Sequence, residues 1–217
     1  MKTNWKAELP TLIVIVLMWG LAAWAWPRVP APMPVHFDLA GTADRFGSRT
    51  EGLLLLPVLV TFLYALLLVW PRLDPRRGTF ALFARPYALV RLTVFGLFLL
   101  VYAGLVATAL GRPVKIDSII SIAAAIAIVL LGNYLPKIQP NWIIGVRTPW
   151  TLSSDLAWRR THRLAGPLFV AAGFLSLAVA LFRPAAAAYV MLSLVVVTAV
   201  ISAIYSYLVW RQDPARS

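Results

Sequence analysis

The stretch Leu53-Leu-Leu-Leu-Pro57-Val-Leu-Val-Thr61-Phe-Leu-Tyr64-Ala-Leu-Leu-Leu-Val-Trp70 decides the medium in which this chain folds. It contains no charged residue, and as a helix rising about 1.5 Å per residue it nearly matches a hydrocarbon core roughly 30 Å thick. Further runs of the same kind flank it: Leu9–Trp26 before, and Pro86–Leu110, Asp117–Leu135, Leu164–Phe182 and Ala185–Trp210 after. Over the whole chain 61% of residues are hydrophobic, 13% are charged and the mean hydropathy is +0.81. A water-soluble domain carries about 25% charged residues, so a globule of this composition would lack the polar surface to cover its core. The expected fold is an all-α membrane protein, a six-transmembrane-helix bundle.

Charge sets the expected orientation. Fourteen of the 20 Lys and Arg residues fall on one side of these runs: Lys2, Lys6, Arg72, Arg76, Arg77, Arg85, Arg91, Lys137, Arg147, Arg159, Arg160, Arg163, Arg211 and Arg216. The other side holds Arg28, Arg45, Arg49, Arg112, Lys115 and Arg183. The positive-inside rule places the richer set in the cytoplasm, giving an N-in/C-in topology. Trp5, Trp24, Trp26, Trp70, Tyr207 and Trp210 mark span ends, where amphipathic rings favour the headgroup region. The formal charge of +12 does not imply direct nucleic-acid binding, because the cations are spread over short loops rather than one solvated patch. The first apolar run is longer than the h-region of a signal peptide, about 7–15 residues, and reads as a retained span. With no cysteine, disulfides, thiolate metal sites and a Cys nucleophile are excluded.

Two three-helix regions are expected: 1–111, with an extracytoplasmic loop at 27–52, and 112–217, with an amphipathic cytoplasmic loop at 136–163. Within spans, Gly96, Gly104 and Ala107 on the third, and Gly166 and Gly173 on the fifth, offer close helix approach. Arg91, about one turn inside the third span, is expected to snorkel to the surface. No Asp, Glu, Lys or His stands in the middle third of any expected span, which weighs against ion-coupled transport.

The outer loop has four prolines that favour an extended lead-in, followed by His36, Phe37, Asp38, Gly41, Asp44, Gly47 and Ser48. Convergence of His36, Asp38 and Asp44 would be the sharpest reading, with Arg45 or Arg49 as counter-ion. The spacing lacks the alternating acidic ligands of a calcium loop, and His36 has no second His or Cys for zinc, so neither metal nor cofactor is expected. A cap held by Asp–Arg pairs and turn hydrogen bonds is the favoured expectation.

The inner loop carries Asn133, Pro136, Asn141, Trp142, Gly145, Arg147, Thr148, Pro149, Trp150, Thr151, Trp158, Arg159, His162 and Arg163. Its prolines interrupt any helix, and Ser153 or Ser154 can cap a new one that runs into the fifth span, with Asp155 near its positive end. Trp142, Trp150 and Trp158 are expected to lie in the headgroup layer, with Arg147, Arg159, Arg160 and Arg163 on lipid phosphates.

The segment Gly132-Asn133-Tyr134-Leu135-Pro136-Lys137, continuing through Asn141-Trp142-Ile-Ile-Gly145-Val-Arg147-Thr148-Pro149-Trp150-Thr151-Leu152 to Trp158-Arg159-Arg160-Thr161-His162-Arg163, closely resembles the signature of the SdpI family. The outer run, Val35-His36-Phe37-Asp38 to Gly41, then Ala43-Asp44 and Gly47-Ser48-Arg49, resembles a domain of unknown function that often precedes it. Asp38 stands where Asn is expected, Phe46 where Trp is common and Arg49 where Lys is common. The resemblance implies a bacterial inner-membrane protein giving immunity to, or sensing, a secreted toxic peptide. It also implies a cytoplasmic face that recruits a repressor or other regulator, with membrane lipid as the surrounding partner. The competing readings are a membrane-embedded enzyme, using His36, Asp38 and Asp44 outside or Arg147, Asp155 and His162 inside, and a small-solute transporter or channel.

Overall fold

The computed structural model describes residues 5–215; Lys2 and Arg216, counted above in the charge asymmetry, lie outside the described residues. Six long helices cross the molecule: α1 (Trp5–Ala25), α2 (Arg49–Leu73), α3 (Ala84–Ala109), α4 (Ile116–Tyr134), α6 (Asp155–Phe182) and α7 (Pro184–Arg211). A five-residue helix, α5 (Pro149–Ser153), lies in the loop before α6. The six long helices are each apolar enough to span a bilayer. They begin before the apolar runs because helical hydrogen bonding does not need apolar side chains: α2 begins at Arg49, and α6 opens nine residues before Leu164.

The outer loop is more regular than the sequence indicates. Strands β1 (Met33–Phe37) and β2 (Ala43–Gly47) pair antiparallel, with Met33 opposite Gly47 and Phe37 opposite Ala43. This hairpin sits at the end of the bundle shared by the C-terminal ends of α1 and α3 and the N-terminal ends of α2 and α4. Both described chain ends, and the 135–154 loop, lie at the opposite end.

In α2, two prolines remove amide donors and so orphan the carbonyls four residues earlier, a costly state in hydrocarbon. Each orphan is met by a tyrosine of α3. Tyr102 donates to the Leu53 carbonyl left by Pro57, at 2.8 Å, and Tyr87 donates to the Leu67 carbonyl left by Pro71, at 2.6 Å. The helix breakers of one span thus become docking points for the next.

Helices α4 and α6 meet through small residues. A methyl group on Gly166 would come 2.6 Å from the Pro136 ring, one on Gly173 would come 2.6 Å from Val129, and one on Gly132 would come 2.8 Å from the Val170 amide. Gly104 is similarly closed by Ile116, but Gly96 faces open space, so the expected contact face of α3 is only partly used.

Arg91 does not snorkel. It is 3% exposed, and its guanidinium donates to Glu8 at 2.5 Å while lying 4.7 Å over the Tyr87 ring. The Tyr64 hydroxyl donates to the other Glu8 oxygen at 3.3 Å. An apolar window opening at Leu9 leaves out Glu8, yet α1 is helical from Trp5 and carries that carboxylate to the depth of Arg91. A buried counter-ion makes retreat to the surface unfavourable.

Candidate functional site

The candidate residues form two groups at opposite ends of the bundle. At the hairpin end, Asp38 is an Asx-turn residue: its carboxylate accepts from the amides of Ala40, at 2.9 Å, and Thr42, at 2.8 Å. Either Asp or Asn offers that acceptor, so the departure from the family pattern leaves the turn intact. Gly41 has φ +79°, and a side chain there would strike Asp117 at the start of α4, so the hairpin tip rests on the bundle. Gly47 packs against Glu51, and Ser48 caps α2 by accepting from the Glu51 amide at 3.1 Å. Phe37 is half-buried, whereas Phe46 is exposed.

His36 and Asp44 come together at 2.6 Å on this surface, and Arg45 reaches Glu51 at 2.5 Å. The expected Asp–Arg pairing is therefore replaced by His–Asp and Arg–Glu pairs. His36 and Asp44 stand on the two paired strands of the hairpin, whereas Arg45 reaches across to Glu51 in the first turn of α2. Asp38 is spent on its turn and does not join His36 and Asp44. Among the described residues, no group of three or more His, Asp or Glu is placed to hold a metal ion.

At the other end the signature loop is folded around Asn141, which is wholly buried. Its amide nitrogen donates to the carbonyls of Gln139 and Ile144, and its oxygen accepts from the amides of Ile143 and Ile144, all between 2.8 and 3.0 Å. One side chain thereby satisfies four backbone groups in residues 139–144, a stretch of the loop without strand or helix. Gly145 follows with φ +113°, packed on the His162 and Trp158 rings, a position closed to any other residue. His162 accepts from the Val146 amide at 3.1 Å through Nε2, and its Nδ1 lies 2.9 Å from the Trp158 carbonyl. That pairing requires the Nδ1–H tautomer.

Thr148 and Thr151 form a reciprocal capping box on α5, and Thr151 also donates to the Val146 carbonyl at 2.8 Å. Pro149 occupies the first turn of α5, where its missing amide costs nothing. Ser154, as expected of one of the two serines, caps α6. Trp158 is 1% exposed, stacks on His162 at 4.1 Å and donates to the Ile138 carbonyl at 2.8 Å. It belongs to the protein interior, not to the headgroup layer, because α6 turns it onto Phe80, Phe83 and Tyr87. Trp142 is exposed and Trp150 half-buried, the latter against Tyr207.

The exposed members are Asn133, Pro136, Trp142, Arg147, Pro149, Arg159 and Arg163. Arg147 closes its own loop by donating to the Trp142 carbonyl at 2.7 Å. Arg147, Asp155 and His162 each have separate partners and do not form one constellation.

Several residues that hold this end were not singled out from the sequence. Asp74, buried at the end of α2, accepts from the Trp142 amide at 2.9 Å, and Thr79 lies 2.8 Å from the Pro140 carbonyl. Arg76 donates to Asp155 at 2.6 Å and to the Leu152 carbonyl at 3.0 Å. Just past the last helix, Asp213 accepts a short hydrogen bond from Ser154, and within it Ser206 meets Thr148 at 2.9 Å. The only sequence signal for Asp74 was its place in an Asp-Pro turn directly after a span.

Six apolar helices, an ordered hairpin at one end and a densely bonded loop at the other define a polytopic integral membrane protein. Residues 137–208 match the SdpI/YfhL protein family, and residues 13–61 match the domain of unknown function DUF1648. The chain is 25% identical over 203 residues to the immunity protein SdpI of Bacillus subtilis (strain 168), covering 93% of this chain and 95% of that one. It is also 39% identical over 62 residues to an uncharacterized protein of Archaeoglobus fulgidus, 29% of this chain and 33% of that one. No solved structure matches. The C-terminal part of the chain is thus similar to the SdpI family, and the whole is a multi-pass protein of the bacterial cytoplasmic membrane.

Proposed function

We propose that this is an immunity-type membrane protein that senses a secreted toxic peptide with its hairpin face and presents a regulator-docking surface on its signature-loop face. The hairpin face would be extracytoplasmic and the signature-loop face cytoplasmic, as the Lys and Arg asymmetry favours. The division at 111/112 would then separate a ligand-facing unit from an output unit. The observation that carries the reading is the similarity to the Bacillus subtilis immunity protein along nearly the whole chain. The buried scaffold of Asn141, Thr151, Trp158 and His162 supports it, because it holds Trp142, Arg147, Arg159 and Arg163 outward on a fixed frame. On the opposite face, Leu39 and Phe46 stand exposed on the hairpin beside the His36–Asp44 pair, a mixed apolar and polar surface suited to an amphipathic peptide.

The test is expression in a bacterial host that a membrane-active secreted peptide kills. Tolerance should rise with the intact chain and fall with Arg147→Ala, while membrane insertion and protein level stay unchanged. Unaltered killing across a range of such peptides would remove the immunity reading.

A further inference from the structure

A cavity of about 630 Å³ opens between α1, α2 and α3 at the end of the bundle that carries both described chain ends. Its rim holds Lys6, Arg72 and Arg85, each within a turn of a helix end, so all three stand at the membrane–water interface. Among the described residues none of the three has an ion-pair or hydrogen-bond partner. Arg91 lines the cavity about 9 Å deeper than Arg85, taking 1.5 Å per helical residue. Four cations thus face a single carboxylate, Glu8. Arg91 also keeps one buried donor, its Nε, without any hydrogen-bond partner among the described residues. Buried donors in a low-dielectric site are rarely left so unless something occupies the space before them.

The walls are apolar, and they do not end with the cavity. Leu89 and Leu92 also line a second trough, of about 490 Å³, between α3 and α4. It runs past Gly96, whose missing side chain leaves it open, to Leu100. From Leu89 to Leu100 the trough extends about 16 Å along α3, on the order of an acyl chain's length.

We propose that this continuous feature is a binding site for one anionic phospholipid, its phosphate among Arg72, Arg85 and Lys6 and one acyl chain in the Gly96 trough. Guanidinium groups meet phosphate oxygens in paired hydrogen bonds, and basic pockets between spanning helices select anionic headgroups. The site is distinct from both the hairpin surface and the signature loop, and it does not depend on the immunity reading.

Native mass spectrometry of the full chain decides it, with phosphatidylglycerol and phosphatidylcholine of matched acyl chains at equal concentration and glycerol 3-phosphate as soluble competitor. The anionic lipid should be retained about fivefold or more over the zwitterionic one. Glycerol 3-phosphate should not displace it. Gly96→Leu should cut retention several-fold without loss of folding, because its side chain enters open space. Arg72→Gln with Arg85→Gln should erase the headgroup preference; if that pair fails to fold, the lipid comparison and G96L still decide. Equal retention of the two lipids, or full retention in G96L, would overturn the proposal. So would displacement by glycerol 3-phosphate, which would mark a site for a free phosphate ester.

Discussion

Three buried polar residues, Asn141 and the paired Glu8 and Arg91, carry disproportionate weight. Replacing Asn141 by Ala leaves four loop backbone groups unpaired in the interior and should destabilise the protein by about 3 kcal/mol. A denaturant titration in detergent checks this, and a loss under about 1 kcal/mol would mean that water replaces the amide. Breaking the Glu8–Arg91 pair from one side strands a charge, so Glu8→Leu or Arg91→Leu alone should cost about 3–5 kcal/mol. The double substitution should cost clearly less than the two singles together, which a double-mutant cycle measures. The exposed His36–Asp44 pair is different: Asp44→Asn should change stability by less than about 1 kcal/mol. Sequence alone ranked these residues poorly. Asn141 was legible as a member of a motif but not as the hub of its loop, since its four partners are set by backbone conformation. Glu8 fell just outside an apolar window, and Arg91, seen without it, looked like a snorkelling cation.

The helices themselves were readable because hydrocarbon enforces a long unbroken apolar run, and each of the six runs became a helix. The hairpin was not, because its strands are five residues each and contain Pro34 and Gly47, which weaken any strand pattern. The proline–tyrosine contacts were also hidden, since nothing in the run Leu53–Trp70 says which later residue will meet its orphan carbonyls. They make a sharp test. Tyr102→Phe should cost about 1 kcal/mol through the unpaired Leu53 carbonyl. In a Pro57→Ala background, where the helix can supply its own donor, the same change should cost less than half as much. Equal costs in both backgrounds would show that the hydroxyl bond is not compensating for the proline. On the α4–α6 seam, Gly166→Leu should destabilise by more than about 2 kcal/mol because the Pro136 ring and helix backbone stand in its way.

The whole molecule is a bundle whose two ends differ in kind. One end is a short hairpin resting on helix termini; the other is knitted from the α2–α3 connection, the signature loop and the end of α7. Because Asp74, Arg76 and Thr79 come from the first half of the chain and Ser206 and Asp213 from α7 and the residues just after it, the signature loop is braced from both sides. A change at that end would therefore be felt by spans from both halves. The claim on which this rests is that the hairpin and the signature loop face opposite sides of the bilayer. The chain contains no cysteine, so single-cysteine variants report without background. Thr42→Cys at the hairpin turn and Lys137→Cys in the turn just after α4 are both on exposed positions. In intact cells a membrane-impermeant maleimide should label T42C at once and K137C only after permeabilisation. Labelling of both variants in intact cells, or of neither, would contradict the arrangement.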